Sequence, residues 1–102
     1  MSEPPRFRAC RAIVCSDDGH ADVDDSAEIE IAAGSLLLVY FDERGAVVLQ
    51  GREEAPGHFA CRARSRPRRA ELVRTGRVLE GRWSEGDAAG SLRIELAEEE
   101  TG

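Results

Sequence analysis

The chain has 102 residues, of which 41% are hydrophobic and 33% charged, and its formal net charge is −6. A chain of this length forms one domain with one modest core, and its negative charge argues against general binding of nucleic acids. It contains no run of about 18 apolar residues, so we expect no membrane-spanning helix.

The two ends of the chain carry no pattern that would order them. Residues 1–5 include two prolines and no apolar signal-peptide region, and residues 98–102 are mostly acidic. We expect both ends to be disordered, with a single domain over residues 6–97 and a cytoplasmic location. The three cysteines follow no metal-binding spacing, so free thiols are expected.

The first part of the predicted domain contains two strands separated by an acidic segment. Residues 6–15 favour a strand with one irregular position, which indicates a β-bulge. Residues 16–26, SDDGHADVDDS, are interpreted as a solvated loop, because their spacing does not match a calcium-binding loop. Residues 28–31 alternate between charged and apolar side chains, which predicts a short second strand.

The next two predicted strands, residues 35–41 and 46–51, are apolar on both faces. The intervening turn predicts a bulge at Gly45 that pairs Phe41 with Val47 and directs both inward. A strand pair that is apolar on both sides is covered on both sides, and we expect a second subunit to supply the outer cover. The predicted homodimer interface consists of Leu36, Leu38, Tyr40 and Val48. The alternative cover is the chain's own termini or its acidic segment.

Four further strands follow, at residues 59–64 and within residues 69–96. The predicted registers place Leu49 opposite Ala63 and Leu72 opposite Leu79, and they keep apolar side chains on one face of every strand. The inward set of the last strands includes Ala70, Leu72, Leu79, Gly81, Trp83 and Ile94. Apolar side chains thus fall on the same face of each successive strand, and this is the main evidence for a common interior.

Eight strands with short connections and no crossover helix predict an all-β, antiparallel up-and-down meander. Pairing of the first strand with the last would close it into a small barrel, and a two-sheet β-sandwich is the alternative. In shape this resembles the calycin-like barrels, the architecture shared by lipocalins and avidin. The resemblance rests on strand count and on the pattern Gly81–Trp83…Gly90–Leu92–Ile94–Leu96. Lipocalins carry Gly-x-Trp in their first strand rather than the penultimate one, so no family and no function follow.

The densest charge feature lies at residues 62–82, which contain eight Arg and two Glu. Their local charge of +6 leaves −12 on the rest of the chain. The fork of an arginine suits phosphate, so this region is a candidate anion site. The candidate residues are Arg62, Arg64, Arg66, Arg68 and Arg69. The alternative is a solvated face paired with the protein's own acidic segment. Binding of nucleic acid is disfavoured, because no aromatic residues interleave to stack on bases.

Several small residues are predicted to point inward in adjacent strands, and they leave space inside the barrel. Either the protein's own aromatic side chains fill that space or a small apolar ligand does. The candidate lining residues are Phe41, Phe59, Cys61 and Trp83.

Catalysis has little support in the sequence. His20 and His58 are the only histidines, and no nucleophile motif accompanies them. We therefore expect a non-catalytic protein with no cofactor and no metal. The predicted function is that of a homodimeric binding or assembly module for a protein partner or a small apolar ligand. The alternative is anion or nucleic-acid binding through residues 62–82.

Overall fold

A computed structural model describes residues 6–97, with side chains from Cys10 onward. Eight antiparallel strands follow one another in this part of the chain, and the first pairs with the last to close a barrel. The strands are β1 (Arg6–Ser16), β2 (Ala21–Ala32), β3 (Ser35–Asp42), β4 (Gly45–Ala55), β5 (His58–Ala63), β6 (Arg68–Thr75), β7 (Val78–Glu85) and β8 (Ala88–Glu95). The predicted all-β meander and its closure are confirmed. The predicted disordered ends, 1–5 and 98–102, lie outside the described residues.

Short hairpin turns connect the strands. In an up-and-down barrel every second turn lies at the same end. One end, which we call the capped end, therefore carries the connections at 17–20, 43–44, 64–67 and 86–87. Among the described residues, none forms a helix long and apolar enough to cross a membrane.

The registers of β4 to β8 preserve the predicted faces. Leu49 lies opposite Ala63 as predicted. Leu72 lies opposite Gly81 rather than Leu79, and the β5–β6 and β7–β8 pairs differ from the prediction by the same two residues. Side chains alternate along a strand, so a shift of two residues leaves every side chain on its predicted face. The apolar residues predicted inward in these strands are accordingly buried in one core.

The β3–β4 register is wrong in the prediction by one residue. Phe41 lies opposite Ala46 rather than Val47, and Asp42 pairs with Gly45 across a two-residue turn. The extra bulge residue assumed from the sequence is therefore not inserted. A shift of one residue reverses the faces of β3, and Phe41, predicted to line the interior, is instead 55% exposed on the outside.

The same reversal moves most of the predicted dimer interface into the core. Leu36, Leu38 and Tyr40 point inward and are buried, so their predicted outward orientation is wrong. Val48 does face outward, between the buried Val47 and the buried Leu49 of the same strand. The outer apolar face of this hairpin therefore consists of other residues than those predicted.

The acidic segment is also more regular than predicted. The bulge expected in β1 is confirmed by a register shift between Cys10 and Ala12. Residues 16–26 were expected to form a loop, but β2 already begins at Ala21 and pairs with β1. The carboxylate of Asp24 accepts hydrogen bonds from the amides of Ser26 and Phe41. These bonds satisfy backbone groups where the β2 pairing is irregular.

Candidate functional site

The arginine cluster read from the sequence divides into two groups. Arg68 is only 5% exposed and Arg66 is largely buried, and both reach into the capped end. Arg62, Arg64 and Arg69 are exposed on the outside of the barrel. The cause is strand phase, because Arg68 shares the inward face of β6 with Ala70 and Leu72 whereas Arg69 faces out.

Arg68 occupies the centre of the capped end. Its Nη1 donates to the Tyr40 hydroxyl at 2.7 Å, and its Nε donates to Glu85 Oε1 at 3.0 Å. Its guanidinium carbon lies 4.4 Å from the ring centroid of Trp83, which is a cation–π contact. The guanidinium of Arg68 therefore covers this end of the apolar core, and its charge is both hydrogen-bonded and stacked on an aromatic ring.

Arg66 completes this cap together with two acidic side chains. Its Nη2 lies 2.8 Å from Asp42 Oδ2, and its Nε donates to Glu85 Oε1 at 3.2 Å. Arg44 also donates to Glu85. Burial by itself would raise the pKa of both carboxyls, but the arginine hydrogen bonds and charges outweigh it and lower each pKa. Both carboxylates are therefore ionised and committed to arginine at neutral pH.

The interior candidates are brought together, apart from Phe41. Phe59, Cys61 and Trp83 are all buried inside the barrel. A Cβ added at Gly51 would lie 2.6 Å from the Cys61 sulfur, so this thiol occupies the space that the glycine leaves. Burial raises the pKa of the Cys61 thiol to about 11, which keeps it protonated and unreactive.

The space beside Trp83 is used in the same way. The indole Nε1 donates to the Cys15 carbonyl oxygen at 3.2 Å. A Cβ at Gly90 would lie 1.8 Å from that oxygen and 2.8 Å from Nε1. Glycine is therefore required for β8 to approach β1 and for the indole to reach its acceptor. The small inward residues accommodate the protein's own groups, which favours a packed interior over a ligand pocket.

The outer face of β4, β5 and β6 forms an open groove of about 830 Å³. Its lining side chains are mostly polar, and Ala60 forms the floor. The outward-facing lining residues are Gln50, Arg52, Glu54, Ala60, Arg62, Arg69 and Glu71. We call this feature the outer groove. It brings together two predicted anion-site residues, Arg62 and Arg69, whereas Arg64 is not part of its lining.

Arg62 and Arg69 lie directly opposite each other in the β5–β6 pair. Their side chains, and that of Arg52, make no hydrogen bond or ion pair with another described residue. Like charges placed directly opposite in a sheet are unfavourable, and their Cβ atoms lie about 4.5–5.5 Å apart. Two arginines so placed can approach one anion from two sides.

A second polar group lies at the rim of the capped end. His20 Nε2 is 2.6 Å from Glu43 Oε1 and 3.4 Å from Asp22 Oδ1. The hydrogen bond to Glu43, followed by the charges of Asp22 and Glu43, raises the pKa of His20. The ligand atoms of His20, Asp22 and Glu43 lie within 4.8 Å of one another, a spacing that could hold a metal ion.

Sequence reasoning missed Arg52 and Gln50 in the groove, and it missed Asp42 and Glu85 in the cap. A signal existed for the first two, because the correct β4–β5 register already places Gln50 opposite Arg62. Glu85 had a signal of the same kind, because the β6–β7 register places it opposite Arg68. Asp42 had none, because it lies at the end of β3 and meets Arg66 and Arg68 only when the barrel closes.

Comparison of the chain with protein-family models, with curated proteins and with solved structures found no match. The resemblance to calycin-like barrels therefore rests on strand number and order alone, and these carry no function.

Proposed function

We infer that the protein is a non-catalytic binding module that holds a small phosphate-bearing ligand in the outer groove. The observation that carries this inference is the opposed pair Arg62 and Arg69, which has no acidic partner among the described residues. A bound anion would remove the repulsion between the two guanidinium groups and would accept their planar forks. Arg52 and Gln50 extend the donor set along the same groove.

The groove also limits the kind of anion. Its volume of about 830 Å³ falls within the range of small-molecule sites, roughly 300–1,000 Å³. Glu54 and Glu71 line the same groove and would repel a long uniform polyanion. The outward-facing lining contains no aromatic side chain on which bases could stack. These features favour a compact ligand that also carries hydroxyl or amino groups over a nucleic acid.

An apolar ligand inside the barrel has weaker support. The thiol of Cys61 and the indole of Trp83 occupy the space left by Gly51 and Gly90. Arg68 and its partners cover the capped end of that space. A ligand would have to displace packed side chains to enter from this end.

Isothermal titration calorimetry with inorganic pyrophosphate at low salt tests the proposal. We expect the wild-type chain to bind and the R62Q/R69Q double variant to lose most of that binding. The matched control is R77Q, which removes an exposed arginine from the β6–β7 turn, far along the sheet from the groove. Equal weakening in R77Q, or no binding by the wild type, would overturn the proposal.

A further inference from the structure

The outer face of the β3–β4 hairpin carries an apolar stripe that the fold leaves uncovered. Val39 and Val48 lie directly opposite each other at its centre, and Phe41, 55% exposed, extends it toward the capped end. Leu37 continues it in the other direction. We call these four residues the outer stripe. Both faces of this hairpin are thus apolar, and the core covers only the inner one.

The two flanks of the outer stripe have opposite charge. On the β2 side Glu28 is paired with Val39. On the β5 side the Arg64 amide donates to the Val48 carbonyl at 3.1 Å, which places Arg64 beside Val48. The order across the outer surface is therefore acidic, apolar, apolar, basic. Both charged residues are exposed.

The next row of the sheet repeats the charged flanks, with a polar residue in place of the second apolar one. There Glu30 is paired with Leu37, and Gln50 lies between Leu37 and Arg62. The acidic flank on β2 and the basic flank on β5 therefore lie beside the rows of Val39 and Leu37. A partner of uniform charge would match one flank and be repelled by the other.

This pattern is complementary to itself under a two-fold rotation. Consider an axis in the plane between two facing barrels, parallel to the strands and passing between β3 and β4. The rotation keeps each row at its own height and exchanges its two flanks. Val39 of one copy then meets Val48 of the other, and Glu28 meets Arg64. Such an isologous contact uses one patch twice and closes as a dimer.

We propose that a second copy of this chain docks on the outer stripe in this arrangement. The contact buries the exposed Phe41 and the valine pair, and it sets two symmetry-related Glu28–Arg64 ion pairs at its rim. Apolar burial supplies the stabilisation, and the flanking charges set the orientation. The contact depends on Phe41, Glu28 and Arg64, none of which lines the outer groove, so it can fail or hold separately from the anion site.

Complementary charge reversals test the arrangement. We expect the wild-type chain to be a dimer in analytical ultracentrifugation, and the E28R and R64E variants each to be monomers, because each places like charges together in its own dimer. An equimolar mixture of E28R and R64E should recover the dimer mass, because both ion pairs are restored in the mixed species. A monomeric wild type, or a mixture that remains monomeric, would overturn the proposal.

A pair of apolar substitutions tests the stripe itself. F41S should dissociate the dimer, whereas V73S, which changes an exposed valine on the outside of β6, should leave the mass unchanged. Circular dichroism would show that both variants keep the barrel. Dissociation by V73S to the same extent would show that the stripe is not the interface. Pyrophosphate titration of F41S separates the two proposals, because Phe41 does not line the outer groove and binding there should persist in the monomer.

Discussion

Two pairs of arginines lie close together in the sequence and have opposite surroundings in the barrel. Arg66 and Arg68 enter the capped end and contact Asp42 and Glu85. Arg62 and Arg69 face each other across the outer groove without an acidic partner among the described residues. The sequence presents them as one cluster, but strand phase and the turn at 64–67 distribute them between the inside and the outside.

The difference between the pairs has an energetic meaning. Removing a guanidinium from water is costly, so the buried pair is stable only because carboxylates, a tyrosine hydroxyl and an aromatic ring replace the lost hydration. The outer pair keeps its water and bears a small mutual repulsion. The buried pair therefore serves the fold, although Nη1 of Arg66 has no hydrogen-bond partner among the described residues. The side chains of the outer pair are exposed and have no ion-pair partner among the same residues.

The largest expected effect comes from deleting Arg68. The R68A variant leaves Glu85 and Asp42 in a largely buried site with one fewer cation, and it removes the donor to Tyr40. We expect the free energy of unfolding to fall by about 3–5 kcal/mol, as for other broken buried ion pairs. Urea denaturation measures this loss.

The matched control is the neighbouring R69A variant, which removes an exposed arginine from the same strand. It should unfold at the same urea concentration as the wild type or slightly above it. Similar destabilisation by R68A and R69A would show that the contrast between inner and outer arginines is wrong.

The acid dependence of stability sharpens the same contrast. Asp42 and Glu85 have pKa values below their ordinary 3.8 and 4.5, because the arginine contacts outweigh the effect of burial. A carboxyl whose pKa is lowered by folding stabilises the folded state above its unfolded-state pKa. That contribution is complete above about pH 5 and is lost as the pH falls through the lowered folded-state pKa.

Urea unfolding measured from pH 7 down to pH 3 checks this dependence. The E85Q variant should be less stable than the wild type at neutral pH and should lose less stability on acidification. E80Q is the control, because the ion pair of Glu80 among the described residues is with the exposed Arg93, and its loss should leave the acid slope unchanged. If the stability of E85Q fell with pH in parallel with that of the wild type, the carboxylates of the capped end would not be the source of the acid dependence.

The fold was predictable because most errors in strand register left each side chain on its predicted face of the sheet. The later strand pairs were displaced by two residues in the prediction, and their inward faces remained correct. Only β3–β4 was displaced by one, and that single error exchanged the interior and exterior residues of β3. The signal for this register was weak because both faces of β3 are apolar, so periodicity alone could not choose between them.

The candidate site was less predictable, for a different physical reason. Arg62 and Arg69 could be named from composition, and the alternation of β6 could have separated Arg68 from Arg69. One partner of the buried arginines, Asp42, could not be named. Glu85 lies opposite Arg68 in the β6–β7 pair, so a correct register for that hairpin would have indicated it. Asp42 lies at the end of β3, and only closure of the barrel sets it beside the start of β6. Contacts of this kind depend on the three-dimensional ends of the strands, which sequence periodicity does not specify.

The smallest expected effect concerns the outer pair, and its sign matters more than its size. R62Q removes one of two opposed like charges, so at low salt the free energy of unfolding should rise by about 0.3 kcal/mol. At about 1 M salt the Debye length is roughly 3 Å, and the gain should disappear. R77Q, with no arginine opposite, should show no such salt-dependent gain.

A loss of stability in R62Q at low salt would mean that Arg62 contributes to the fold. A gain would mean that Arg62 weakens the free protein, which is the behaviour expected of a side chain suited to a bound anion.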